Sequence, residues 1–133
     1  MLRLEIVTPS GRAFSGDADM VTLPSTSGQI GVRPRHMPML TRIEPGEVIV
    51  RVNSQDEVLA IGEGLAAVTG DRVSIVTDMA IKAADIDEEK VEDARRRALA
   101  RLADKVSDEE VATVNASLAR ALAQLRVKKR RRP

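Results

Sequence analysis

Cysteine is absent from this chain of 133 residues, and there is one histidine, His36, and one aromatic residue, Phe14. Without cysteine there are no disulfides, no thiolate chemistry and no cysteine-based zinc site. One histidine leaves a poor ligand set for a transition metal, so no metal site is expected. With a single aromatic ring, the core must be built from Val, Ile, Leu, Met and Ala. The same scarcity argues against nucleic-acid modules that stack bases on rings. No apolar run approaches the roughly 20 residues that span a bilayer. The start, MLRLEIVTP, reads as a strand and carries no signal-peptide pattern. A soluble chain without direct membrane insertion is therefore expected. Gly-x-x-x-x-Gly-Lys-Ser/Thr, Gly-x-Gly-x-x-Gly and Gly-x-Ser-x-Gly patterns are all missing.

The residues present divide the chain into two parts of different period. Leu2, Leu4 and Ile6 alternate with polar neighbours, and Val48, Val50 and Val52 recur at the same spacing. Short apolar runs follow at 58–61, 65–69 and 73–77. Period 2 predicts strands. Turn residues come about every ten positions, as in a β-sandwich or flattened barrel. They are Pro9-Ser10-Gly11, Ser15-Gly16-Asp17, Pro45-Gly46, Asn53-Ser54-Gln55-Asp56, Gly62-Glu63-Gly64 and Gly70-Asp71. From Asp71 to Arg132 there is neither Gly nor Pro. Asp85 or Asp87 can cap a first helix, in which Val91, Ala94, Ala98 and Leu102 recur at helical spacing. Ser107-Asp108-Glu109-Glu110 has the form of a capping box. Beyond it, Val111, Val114, Leu118, Ala121 and Leu125 form a narrow seam. The expected fold is α+β: a β-sandwich over 1–84, then an antiparallel helical hairpin over 85–133. The hairpin's seam is rich in alanine, so it buries little area and should depend on docking.

Among candidate sites, the segment GQIGVRPRHMP holds His36 between Pro34 and Pro38. A catalytic histidine needs an orienting partner and a nucleophile. Ser25 and Ser27 are near in sequence but no elbow presents them, so His36 reads as a loop-ordering or contact residue. The acids at 85–93 lie at a helix start, without the central glycine of an EF-hand loop, and read as complements of the helix dipole. Residues 85–133 hold thirteen Lys/Arg and ten Asp/Glu, with Lys128, Lys129, Arg130, Arg131 and Arg132 consecutive. Composition and motifs together reach a non-catalytic adaptor. A small basic nucleic-acid-binding adaptor stands as the alternative.

The order and spacing of several segments resemble the epsilon subunit family of F-type ATP synthases. They are Phe14-Ser15-Gly16, MVTLP at 20–24, GQIGVRPRHMPMLT at 28–41, Pro45-Gly46, VTDMA at 76–80, Asp85-Ile86-Asp87 and LARALAQLRV at 118–127. The resemblance implies a non-catalytic subunit of the central rotor that binds the gamma subunit and the ring of c subunits. It helps couple proton or sodium flow to ATP synthesis. The implied c-ring contact is Ser27, Gly28, Gln29, Ile30 and Gly31. The base and gamma-facing surface falls on Arg33, Pro34, Arg35, His36, Met37 and Pro38. The hairpin would extend toward the alpha and beta subunits and restrain ATP hydrolysis, through Arg120, Arg126, Lys128, Lys129, Arg130, Arg131 and Arg132. Some relatives bind ATP through Ile/Leu-Asp-x-x-Arg-Ala. Here Asp87 is kept, but Lys90 and Val91 replace the arginine and alanine. Lysine lacks the planar fork of arginine, so weak or no ATP binding is expected, and no cofactor. The implied place is the cytoplasmic face of a bacterial inner membrane, peripherally bound.

Overall fold

A computed structural model describes residues 1–104 and 107–130, with the Arg130 side chain left aside. Ten strands come first: β1 (Leu2–Thr8), β2 (Gly11–Ala18), β3 (Met20–Ser25), β4 (Gly28–Val32), β5 (His36–Ile43), β6 (Gly46–Val52), β7 (Gln55–Ile61), β8 (Gly64–Gly70), β9 (Arg72–Thr77) and β10 (Ala80–Lys82). A 3-10 turn at Ala83–Asp85 leads to two helices, α1 (Glu88–Ala103) and α2 (Asp108–Arg130). The strands are joined in the order β10-β7-β6-β3-β5-β8-β9-β1-β2, with β4 on β3. All assigned pairings are antiparallel except β1 with β9.

The sheet folds over where β3 meets β5 at the single pair Ser25–Ile43, bringing two layers face to face. Its far ends approach as well: β2 packs against β6 and β1 against β10, and Lys82 Nζ stands 6.0 Å from the centre of the Phe14 ring. The result is a nearly closed, flattened barrel. Its core is the set of inward residues on alternate positions, among them Leu2, Leu4, Ile6, Val21, Leu23, Val48, Val50, Leu59, Ile61, Val68, Val73 and Ile75. The run Val58-Leu59-Ala60-Ile61 does not alternate because both its faces are covered. Leu59 and Ile61 point into the barrel, while Val58 and Ala60 lie in a second apolar cluster with Ile86, Val91, Ala121, Leu125 and Val127.

Three local readings change. Ser15-Gly16-Asp17 is not a turn but the middle of β2, paired with Glu5, Leu4 and Arg3. The turn in 53–56 contracts to Asn53-Ser54, both with positive φ (51° and 64°), between the paired Val52 and Gln55. Two positive φ values in a two-residue loop match the twist of the flanking strands. Finally, 28–31 and 36–38 belong to strands β4 and β5. Pro38 is accommodated because the β5–β8 register shifts between His36 and Met39, so its missing N–H interrupts no ladder.

Both helix starts are capped by side chains. Asp87 Oδ1 accepts from the Lys90 N–H at 3.2 Å, and Ser107 Oγ accepts from the Glu110 N–H at 3.2 Å. Asp85 ends the 3-10 turn and is not the cap. The Glu110 carboxylate pairs with Arg101 across the hairpin. The seam is wider than five positions: toward its C-terminal end α2 also buries Ala123 and Val127.

Candidate functional site

The segment 27–31 is the tip and return strand of the β3–β4 hairpin. Ser25, buried at the end of β3, accepts the Ser27 N–H on its Oγ (3.1 Å) and donates that hydroxyl to the Gly28 carbonyl (2.9 Å). Gly28 has φ 108°, a conformation that glycine adopts without Cβ strain. Gln29 and Gly31 are exposed and Ile30 is half-buried. A small, uncharged tip results, closed by the Ser25 hydroxyl.

The segment 33–38 turns at Pro34-Arg35. Arg35 has φ 67° and is held there by its N–H donating to Asp71 Oδ1 at 2.9 Å. His36 is half-buried, with Nδ1 donating to the Met37 carbonyl at 2.8 Å. That bond ties the ring to the backbone at the start of β5. Arg33, Pro34, Met37 and Pro38 are exposed, Met37 to 78%.

Beyond Met37 the outer sheet face carries apolar residues that sequence reasoning did not assign to a surface. Leu65, Val76 and Val7 stand opposite one another on β8, β9 and β1. Leu40 lies on the same side of β5, opposite Ala67. Leu40 is 72% and Val76 61% exposed. Several large aliphatic side chains on neighbouring strands form a patch of the kind that partners cover. A signal existed in apolar runs of both phases, such as Leu65-Ala66-Ala67-Val68, on strands without a helix over them.

The basic residues of the hairpin separate. Arg120 Nη1 pairs with Asp78 Oδ2 at 3.1 Å, and Lys128 Nζ reaches the Ala83 carbonyl at 3.5 Å. Both are engaged in docking α2 on the β domain. Arg126 and Lys129 are exposed. Arg130 ends α2, and Arg131 and Arg132 lie outside the described residues. On α1, the Asp93 carboxyl is held below the usual carboxylate range by a hydrogen bond and the charge of Arg96. Asp87 serves as the cap of α1 and the Lys90 N–H as its donor. Among the described residues no group of acids and histidine is arranged to hold a metal ion. Nor is any helix long and apolar enough to cross a membrane.

Comparisons with known proteins agree over residues 1–129. Residues 1–83 match the family described as ATP synthase, Delta/Epsilon chain, beta-sandwich domain. Residues 84–129 match ATP synthase, Delta/Epsilon chain, long alpha-helix domain. The ATP synthase epsilon chain of Herminiimonas arsenicoxydans is 40% identical over 126 residues, 93% of this chain and 90% of that one. The epsilon chain of Herpetosiphon aurantiacus is 40% identical over 131 residues, 98% and 96% of the two chains. A chain in the mitochondrial ATP synthase OSCP/F1/c-ring structure of Euglena gracilis shares the fold, with a TM-score of 0.76 at 20% identity, over 94% of this chain and 79% of that one. These findings give no support to the nucleic-acid alternative. With a β barrel, a docked helical hairpin and matches to both parts in the same order, the chain belongs to the epsilon-chain family of F-type ATP synthases, non-catalytic subunits of the central stalk.

Proposed function

We propose that this chain couples c-ring rotation to ATP synthesis through the gamma subunit and restrains ATP hydrolysis through its helical hairpin. The observation that carries the reading is the match to both family segments, 1–83 and 84–129, in a chain whose barrel core is separate from the cluster that seats the hairpin on it. Residues 1–84 serve as the rotor-binding part and 85–133 as the regulatory part. The β3–β4 tip at Ser27, Gly28, Gln29, Ile30 and Gly31 meets the polar surface of the c ring; its small size and lack of charge suit a packing contact. Arg33, Pro34, Arg35, His36, Met37 and Pro38 face the base and gamma. The exposed Leu40, Leu65, Val76 and Val7 extend that apolar contact across the outer sheet. Arg126 and Lys129, exposed on α2, with Arg130, Arg131 and Arg132, pair with acidic groups of the alpha and beta subunits once the hairpin extends. Arg120 and Lys128 join them only after leaving the β domain. With Asp87 committed to its cap and Glu88 and Glu89 beside it, a triphosphate is bound weakly or not at all. The chain sits peripherally at the cytoplasmic face of a bacterial inner membrane.

The test compares ATP hydrolysis by the assembled enzyme containing the full chain with that containing a chain ended after Lys82. Truncation is expected to raise hydrolysis while rotor assembly persists. An unchanged rate in a coupled enzyme refutes the restraint, and failure of the full chain to join gamma and the c ring refutes the whole reading.

A further inference from the structure

The hairpin's hold on the β domain is thin in apolar terms. Its buried members are Val58, Ala60, Ile86, Val91, Ala121, Leu125 and Val127, small apart from one leucine and one isoleucine, with Ile49, Met79, Ile81 and Ala83 packed half-buried at the edge. Beside it runs a polar stripe on α2: Ser117, Arg120, Gln124 and Lys128, spaced three, four and four residues apart and therefore on one side of the helix. Three of these side chains reach the strip 78–83. Arg120 Nη1 pairs with Asp78 Oδ2 at 3.1 Å, Gln124 Nε2 donates to Met79 Sδ at 3.2 Å, and Lys128 Nζ donates to the Ala83 carbonyl at 3.5 Å. Ser117 Oγ accepts from Arg120 Nη2 at 3.0 Å and so aims the guanidinium.

The receiving carboxylate is built in. Thr77 is buried and donates its hydroxyl to the Glu63 carbonyl at 2.8 Å. The Asp78 N–H donates to the same carbonyl at 3.1 Å, and the Gly62 N–H donates to the Met79 carbonyl at 2.8 Å. The Asp78 carboxylate then lies directly over Gly62, where an added Cβ would stand 1.8 Å from Oδ1. Glycine at 62 is thus what leaves room for the ion pair. The pairs Arg95–Glu92, Arg96–Asp93 and Arg101–Glu110 lie within the hairpin and do not tie it to the barrel.

We propose that Asp78, seated over Gly62, and Arg120 form a latch that holds the hairpin against the β domain and sets how often it lifts. The side chains remain about a third exposed (37% and 32%), so water can replace either partner and the latch is reversible. Its consequence for the enzyme rests on the regulatory reading of the hairpin given above; its existence does not.

The chain has no cysteine, so Ala60→Cys places a single thiol at a fully covered position of the cluster beneath the hairpin, where labelling requires the hairpin to lift. The rate of thiol labelling of the full chain in excess reagent then reports undocking. Asp78→Asn and Arg120→Gln are each expected to speed labelling about threefold, the scale of a partly exposed ion pair. The double variant should be no faster than either single one, because both remove the same interaction. Gly62→Ala should speed labelling in the parent but not in the Arg120→Gln background. Unchanged labelling in the singles, or effects that multiply in the double variant, overturns the latch. Faster labelling with unchanged ATP hydrolysis by the assembled enzyme upholds the latch and refutes the inhibitory role of the hairpin.

Discussion

Two apolar clusters in one chain make a distinct prediction about how the protein opens. Leu4 is fully buried in the barrel core, between Gly16 on β2 and Val73 on β9, and belongs to a different cluster from the buried residues of α2. Leu4→Ala removes buried methyl groups and leaves a cavity, costing about 3 kcal/mol. Amides of β1, β8 and β9 exchange only when that core opens, so their exchange should quicken ~100-fold. Amides of α2 exchange when the hairpin lifts and frays, an opening that leaves the Leu4 core intact. Their rates should not change. Leu125→Ala, in the hairpin cluster, has a different signature. It lowers the cost of lifting, and core opening includes lifting, so both sets of amides should quicken by a similar factor. Segment-resolved hydrogen exchange of the two variants against the parent is the assay. The chain has no Trp or Tyr, which removes the usual fluorescence reporters. Should Leu4→Ala quicken α2 as much as β1, the chain opens as one cooperative unit and the separation of hairpin from barrel is refuted.

Gly64→Ala would put a Cβ 2.0 Å from the Val76 carbonyl oxygen and 2.8 Å from Thr77 Cα. With backbone on both contacts it should cost about 3 kcal/mol, seen as a lower urea midpoint at unchanged slope. Ser54→Gly relieves a non-glycine residue at φ 64° and completes the Asn-Gly pair favoured in such turns. It should stabilise the chain by about 0.5–1 kcal/mol and raise Tm. The Asp93 carboxyl, depressed by Arg96, contributes stability that is present above its unfolded value and lost as pH falls through the folded one. Arg96→Gln should move the Asp93 titration, followed by NMR, up toward the ordinary carboxylate range.

Strand β1 and both helices were legible because one face of each is apolar and the other is not, and β6 because Val48, Val50 and Val52 recur at period 2. The resemblance supplied the family from the same residues. β2 was hidden: Arg12, Ala13, Phe14, Ser15 and Gly16 do not alternate, and Gly16 reads as a turn although it pairs with Leu4. β5 was hidden because Met37 and Leu40 point outward while Met39 and Ile43 point to the core, which blurs the alternation, and Pro38 looks like a break. The outer face of Leu65 and Val76 could not be separated from core by residue type alone, since an apolar residue awaiting a partner has the composition of a buried one. The Asp78–Arg120 pair was illegible for another reason. Its members lie 42 residues apart, and Arg120 is one of many arginines that periodicity places on a solvent face.

That pair also changes how the basic end of α2 must be understood. A guanidinium bound to Asp78 is not available to a second acidic surface. In the proposed extension, Arg120 and Lys128 would therefore contribute only through the difference between their partners in the two positions. Arg126 and Lys129, exposed while the hairpin is docked, carry no such opposing term. A surface that meets them first would add attraction without first breaking a contact of the docked state. Lifting must still uncover Val58 and Ala60 and strip Ala121, Leu125 and Val127 of their neighbours. The apolar seam thus favours docking on its own, and the basic residues shift the balance according to whether they lie on the docked stripe or beyond it.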